Sequence, residues 1–377
     1  MLGASFLALV VFILAVGLMP HRASLASAKR TVHTRFADVH QISTVQLSDS
    51  LVDSRRKAPG LLDVRTENAF NVSYLPSAVR KVHPYNSEWG MLLPSALRSD
   101  QADVGDAAMA RARPLRLATG AVLLFLLLWW ETLAPFLPMF KNDARQRTRH
   151  GLRNIGLALL NSGMTALLFV GIWGTTANWA AHNGFGLLNW AGAPPLWHAL
   201  AAVLALDFWT YWWHRMNHRL PFLWRFHRAH HSDAQMDVTT ASRFHIGEIL
   251  FSNCLRVPLI LLLGIHLWEM VLYETALLAV IQFHHANIGL PQRVDQLLRC
   301  FLVTPAMHKV HHSRWQPETD SNYSSLLSIW DRVFRSFRLR EDPSTIQFGL
   351  DEFAKPEDQT LSGILKTPLA NDTLPPG

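Results

Sequence analysis

The chain has 377 residues, of which 49% are apolar and only 17% charged, against about 25% charged in soluble domains. This balance excludes a disordered chain, and two cysteines, Cys254 and Cys300, exclude a disulfide scaffold. The formal charge of +7 is interleaved with long apolar runs, which fits basic cytoplasmic loops of a membrane protein and not a nucleic-acid-binding surface.

In chain order, the first apolar run is Leu2–Met19, followed by Ala26-Ser27-Ala28 and then Lys29-Arg30. It reads as a signal peptide or an uncleaved anchor, and the lack of a positive charge ahead of it favours the anchor. Five further apolar stretches follow, at Leu117–Phe140, Ile155–Ala181, Leu196–Trp213, Ile249–Ile265 and Leu267–Phe283. Most approach the roughly 20 residues a spanning helix needs. The last two are joined at Gly264-Ile265-His266 and read as a helical hairpin that barely crosses or only partly enters the bilayer.

The connection 141–153 carries Lys141, Arg145, Arg147, Arg149 and Arg153 against Asp143, so it is expected in the cytoplasm. The connection 182–195 has no charged residue and is expected outside. Alternation then brings His214 and His284 to the cytoplasmic face. Counting back puts residues 20–113 outside, whereas Lys29-Arg30 argues the opposite. The chain after Asp342 is rich in proline and reads as an irregular tail.

Three clusters concentrate the histidines: His214-Arg-Met-Asn-His218, His227-Arg-Ala-His230-His231 and His308-Lys-Val-His311-His312. Positions i, i+3 and i+4 share a helix face, so each cluster presents two or three imidazoles together. His284 and His245 add to the set, and the direction of His285 is left open. Packed imidazoles repel when charged and leave lone pairs unsatisfied when neutral, and bound metal resolves both problems. Nine or ten imidazoles exceed one ion and suit two ions with four or five each. Imidazole ligation suits Fe, Zn, Cu or Ni. The position at the membrane surface favours a redox metal acting with O2 on a lipid chain. His21, His33, His40, His83, His150, His182, His198 and His266 read as ordinary polar residues.

Residues from about Arg111 to Arg340 resemble the fatty acid hydroxylase/sterol desaturase superfamily of membrane-bound di-iron oxygenases, and look most like its bacterial sterol desaturase members. The resemblance rests on Asp207-Phe-Trp-Thr-Tyr211-Trp-Trp-His214-Arg-Met-Asn-His218, Trp224-Arg-Phe-His227-Arg-Ala-His230-His231, Arg243-Phe-His245, Gln282-Phe-His284-His285-Ala-Asn287 and Thr304-Pro-Ala-Met-His308-Lys-Val-His311-His312. It implies His214, His218, His227, His230, His231, His284, His308, His311 and His312 as metal ligands, with His245 as a tenth candidate. It implies an all-α integral membrane protein of about four to six embedded helices with a cytoplasmic histidine-rich di-metal cap. It also implies two iron ions, O2, a lipid substrate that is hydroxylated or desaturated, and two electrons from a ferredoxin or small haem protein. A bacterial inner membrane is the expected location. Asp207, Asp233, Asp237, Glu248 and Asp331 are candidates to orient ligands. Arg215, Arg225, Arg228, Arg243 and Lys309 are assigned to lipid headgroups or those acids, and Trp209, Trp212, Trp213 and Trp224 to an interface belt.

A second resemblance covers residues 40–85, where Leu61-Leu-Asp-Val-Arg-Thr-Glu-Asn-Ala-Phe70 and Ser73-Tyr-Leu-Pro-Ser-Ala-Val79 are similar to the opening of a rhodanese domain. With no cysteine before Cys254, a sulfur-transfer activity is disfavoured. The expected organisation is 1–19 anchor or signal, 20–108 rhodanese-like remnant or linker, 109–342 catalytic domain and 343–377 tail. Residues 1–108 are read as a truncated fusion or an over-extended gene start. The rival readings are a metal transporter or storage protein, a di-haem carrier and a zinc-dependent lipid hydrolase. The first two need ionisable groups or His pairs deep in the spans, where few occur. Zinc lacks the redox chemistry for C–H oxidation.

Overall fold

The computed structural model describes residues 61–63, 78–80, 101–140 and 143–370. The Leu2–Met19 run, and most of the rhodanese-like segment, lie outside the described residues. Two compact units are distinguished. Within the smaller, β1 (Leu61–Asp63) pairs in parallel with β2 (Ala78–Arg80), Leu62 opposite Val79.

The larger unit is helical. Its first described helix is α1 (Gln101–Leu133), and the boundary expected at 108/109 falls inside this helix. Next come α2 (Ala144–Leu168) and α3 (Val170–His182), then the single turn α4 (Leu187–Trp190). Asp143 caps α2 by accepting from the Gln146 amide. The long helix α5 (Pro195–Arg219) leads into α6 (Pro221–His231), whose proline sits at the first turn, where no donor is lost. The hairpin expected around Gly264 is present as α7 (Ile246–Leu263) and α8 (Leu267–His285). Gly264 closes α7 at φ 74°, and a Cβ there would meet the Phe185 carbonyl at 2.7 Å. Only glycine fits both demands. The short helices α9 (Gln292–Leu298) and α10 (Pro305–His311) follow.

Among the described residues, two helical segments are long and apolar enough to cross a bilayer, Arg116–Leu133 and Ile246–Leu263. A third crossing results if α2 and the chain from Val170 to Trp190, bent by 47°, form one span. These segments turn Phe125, Trp129, Leu159, Leu167 and Leu262 outward, an apolar exterior suited to lipid and not to water. The stretches Leu196–Trp213 and Leu267–Phe283 fall within α5 and α8; α8 is largely buried, whereas α5 buries one face and exposes Trp197, Leu200, Leu204 and Phe208 on the other. Ala202 and Leu206 of α5 meet Tyr273, Leu277 and Val280 of α8, with Trp173 and Ile260 beside them. The C-terminal ends of α5 and α8 carry histidines into a polar layer built by α6, α10 and residues 320–370. That last part includes the segment read as an irregular tail. It is folded here, with helix α11 (Leu361–Lys366), because it satisfies buried cations: Arg228 donates to the carbonyls of Thr367 and Ala370, and Arg243 to Gln359 Oε1.

Candidate metal centre

Nine buried imidazoles meet in two adjoining groups. One holds His214, His218, His227, His231 and His311; the other holds His230, His285, His308 and His312. Within each group the ligand atoms lie within 4.8 Å of one another. The helix geometry sorts them. Residues i and i+4 are about 40° apart around a helix and i+3 lies about 60° to the other side. So His214 with His218, His227 with His231, and His308 with His312 stay together, while His230 and His311 cross to the other group.

The Nδ1 edge of most rings is committed outward. His214 Nδ1 donates to the Tyr323 carbonyl at 2.7 Å and His311 Nδ1 to the Ser321 carbonyl at 2.7 Å. His227 Nδ1 donates to Glu248 Oε1 at 2.9 Å, and that oxygen also accepts from Asn217 at 3.1 Å. His230 Nδ1 faces the Arg243 carbonyl at 3.2 Å and His285 Nδ1 the Ile281 carbonyl at 2.8 Å. His218 Nδ1 lies 3.5 Å from Asp320 Oδ1. A neutral imidazole that donates from Nδ1 carries a lone pair on Nε2. The Nε2 atoms of His214, His218, His227, His231 and His311 are all buried without a hydrogen-bond partner. In the second group, His230 Nε2 and His285 Nε2 face each other at 3.2 Å, lone pair to lone pair. His308 Nε2 lies 3.0 Å from His285 Nε2 and 3.1 Å from His312 Nε2.

These contacts fit metal ions. With metal–imidazole bonds of about 2.0–2.1 Å, neighbouring ligand nitrogens lie roughly 2.9–3.4 Å apart. Burial, followed by the neighbouring imidazoles, holds His218, His230, His231, His308 and His312 well below the ordinary histidine range. Burial takes His311 down to about 3. These six rings are therefore neutral at pH 7, the ligating form.

The expected ligand set is largely brought together, with two differences. His245 lies outside both groups. It is the N-cap of α7, where its Nδ1 accepts from the Gly247 amide at 2.9 Å and its Nε2 faces the Leu365 carbonyl at 3.2 Å. His285 occupies the place given to His284 in the second group. His284 sits beside it, ring centroid 3.9 Å from His308, with both nitrogens buried and unpartnered. Adjacent helical side chains diverge by about 100°, and spacing alone does not say which one faces inward.

Of the expected orienting carboxylates, Glu248 alone accepts a hydrogen bond from a ring of the two groups. Asp207 accepts from Trp330 Nε1 at 2.7 Å and the Leu327 amide at 3.2 Å, tying α5 to the 326–330 segment. Asp331 accepts from the Ser324 amide and Ser336. Asp233 and Asp237 flank His150, a histidine first read as an ordinary polar residue. Burial raises the Asp233 carboxyl, but His150 and Arg243 outweigh it and hold the group far below the carboxylate range. Sequence reading missed Asp320 and also the buried Glu131, which accepts from the amides of Val238 and Asn287 and from Arg147.

Of the cations assigned to headgroups or acids, Arg228, Arg243 and Lys309 are each 1% exposed and so are interior residues, and Arg243 serves Asp233, the acid alternative. Lys309 donates to the carbonyls of Ala286 and Ile288, fixing the turn after His285. Trp224, assigned to an interface belt, packs on His218 and His231, with centroids 5.1 and 5.6 Å away. A polar cleft of about 210 Å³, lined by Trp224, Arg314, Gln316, Asp320 and Asp351 among others, reaches His218.

Residues 199–336, which contain all nine grouped histidines, match the sequence model of the fatty acid hydroxylase family. The similarity to the fatty acid hydroxylase family is thus confined to the region that holds the two histidine groups. The domain is 31% identical over 153 residues to alkylglycerol monooxygenase of Homo sapiens, covering 39% of this chain and 32% of that protein. It is 32% identical over 173 residues to the ornithine lipid hydroxylase of Rhizobium tropici, covering 45% and 49%. Identity to human cholesterol 25-hydroxylase is 22% over 172 residues, covering 42% and 62%. The chain thus spans between a third and a half of the length of the first two relatives. No solved structure matches the chain with significance.

Proposed function

We propose that this protein is a membrane-bound oxidoreductase whose two histidine groups each hold one iron ion, and that it hydroxylates or desaturates a C–H bond of a membrane lipid. The observation that carries this reading is the convergence of nine buried imidazoles into two groups, five of them with Nδ1 held by a backbone carbonyl or Glu248 and Nε2 turned inward. An iron pair supplies activation of O2 and one-electron steps that zinc lacks. The protein's own residues hold the rings neutral and oriented before metal arrives. They also exclude water, since His227, His230, His284 and His311 are at most 1% exposed.

The named relatives act on an alkylglycerol, an ornithine lipid and cholesterol. Their shared chemistry is an amphipath with a polar head and a long apolar body, and that class is proposed as substrate here. Arg145, Arg147, Arg149 and Arg153 lie at the start of α2, whose His150 meets Asp233 two residues after His231, which supports a cytoplasmic orientation and docking of an acidic electron donor such as a ferredoxin or small haem protein. The catalytic unit is proposed to be 109–342, assisted by 343–370. Metal analysis of detergent-purified protein tests the reading. Two irons per chain with O2-dependent, reductant-dependent lipid oxidation is expected, abolished in a His230→Ala, His311→Ala double variant. Lipid turnover with zinc alone would replace it with the hydrolase reading.

A further inference from the structure

His198 and His266, two of the histidines read as ordinary polar residues, meet at the far ends of the two helices that carry the histidine centre. His198 lies one turn into α5, and His266 precedes α8. From His198 to His214 is about 24 Å along α5, and from His266 to His285 about 28 Å along α8, at 1.5 Å per residue. Glu269 joins them. Its Oε1 lies 2.7 Å from His198 Nδ1 and 3.8 Å from His266 Nδ1, while its Oε2 accepts from the His266 amide at 2.9 Å. The rings stack with centroids 4.5 Å apart and planes within 10°. His198 and Glu269 are 3% and 0% exposed.

A buried ion pair alone leaves this arrangement incomplete. Once His198 Nδ1 faces Glu269, its Nε2 is either a lone pair or an N–H, and in both cases it is buried without a partner, as is His266 Nε2. A second protonated ring stacked on the first adds like-charge repulsion. A cation shared by the three side chains keeps both rings neutral and so removes the repulsion, while drawing Glu269 Oε1 and the two rings onto one centre. Their ligand atoms lie within 4.8 Å of one another, and two imidazoles with one carboxylate is a donor set for zinc-class ions.

We infer that His198, His266 and Glu269 bind one divalent transition-metal ion at a site separate from the histidine centre, clamping the start of α5 to the start of α8. The full chain, purified in detergent, is loaded with excess Zn2+, desalted and its metal counted. His198→Ala and Glu269→Gln are each expected to hold one equivalent fewer than wild type. His266→Ala, at the more exposed ring and sparing the His198–Glu269 pair, is expected to do the same with its circular dichroism unchanged. The count is a difference from wild type, so it holds whatever metal the histidine centre carries and separates this site's failure from that centre's. A folded His266→Ala protein with the full wild-type count would overturn the inference and leave a buried ion pair.

Discussion

Removing the Glu248 carboxylate isolates the contribution of ligand orientation. Glu248 is 4% exposed and accepts from His227 Nδ1 at 2.9 Å and Asn217 Nδ2 at 3.1 Å. In Glu248→Ala the His227 ring loses its acceptor, so its Nε2 is no longer aimed and the ring is less basic. A hydrogen bond to a charged group contributes about 1.5–3 kcal/mol, and loss of such a partner lowers metal affinity roughly 10–100-fold. The two figures agree, since each tenfold corresponds to about 1.4 kcal/mol. The assay is competition for metal against a chromophoric chelator on purified protein. Glu248→Gln keeps a neutral acceptor, so its loss is expected below about tenfold. Asp207→Asn is the control. Asp207 lies two turns before His214 but touches Trp330 and Leu327, so it is expected to lower thermal stability and leave metal affinity unchanged. Wild-type affinity in Glu248→Ala, or an equal loss in Asp207→Asn, would refute the reasoning.

His245→Ala is expected to retain the full metal count and lose only a helix cap, about 1 kcal/mol, whereas His285→Ala loses metal from the second group; atomic absorption distinguishes them. Arg243→Met removes donors to Ala229, Ser232 and Gln359 and leaves buried Asp233 short of a counter-charge. A cost of about 3–5 kcal/mol is expected in thermal or denaturant melts, and a change within about 0.5 kcal/mol would contradict it. Metal-free protein is expected to lose stability as pH falls. The unfolded histidines bind protons near 6.5, while His311 holds out to about 3 and its neighbours lie well below their ordinary range. The unfolded state therefore binds more protons throughout the window from about 6.5 down to about 3, so stability drops across it. Denaturant midpoints of the chelated protein that stay flat from pH 7 to 5 would contradict this.

The three histidine motifs, the Gly264 hairpin and the apolar helices were legible because each depends on local spacing. Helical periodicity gathers i, i+3 and i+4, and only glycine takes the left-handed cap. Which ring joins which group was not legible, nor was the choice of His285 over His284. Adjacent positions on α8 differ in direction, and what decides between them is which side faces α6 and α10. Which of the candidate carboxylates orients a ring was hidden for the same reason. Asp207 has suitable spacing, but the 326–330 segment folds across it, whereas Glu248 reaches His227 from a different helix.

The sequence by itself determined that this chain concentrates neutral nitrogen ligands at the ends of apolar helices, because composition and periodicity are properties of the chain alone. Only the tertiary structure decided which lone pairs meet. That outcome depends on contacts between residues tens to hundreds of positions apart, such as His214 with Tyr323 and Arg243 with Gln359, and such contacts leave no periodic trace in the sequence.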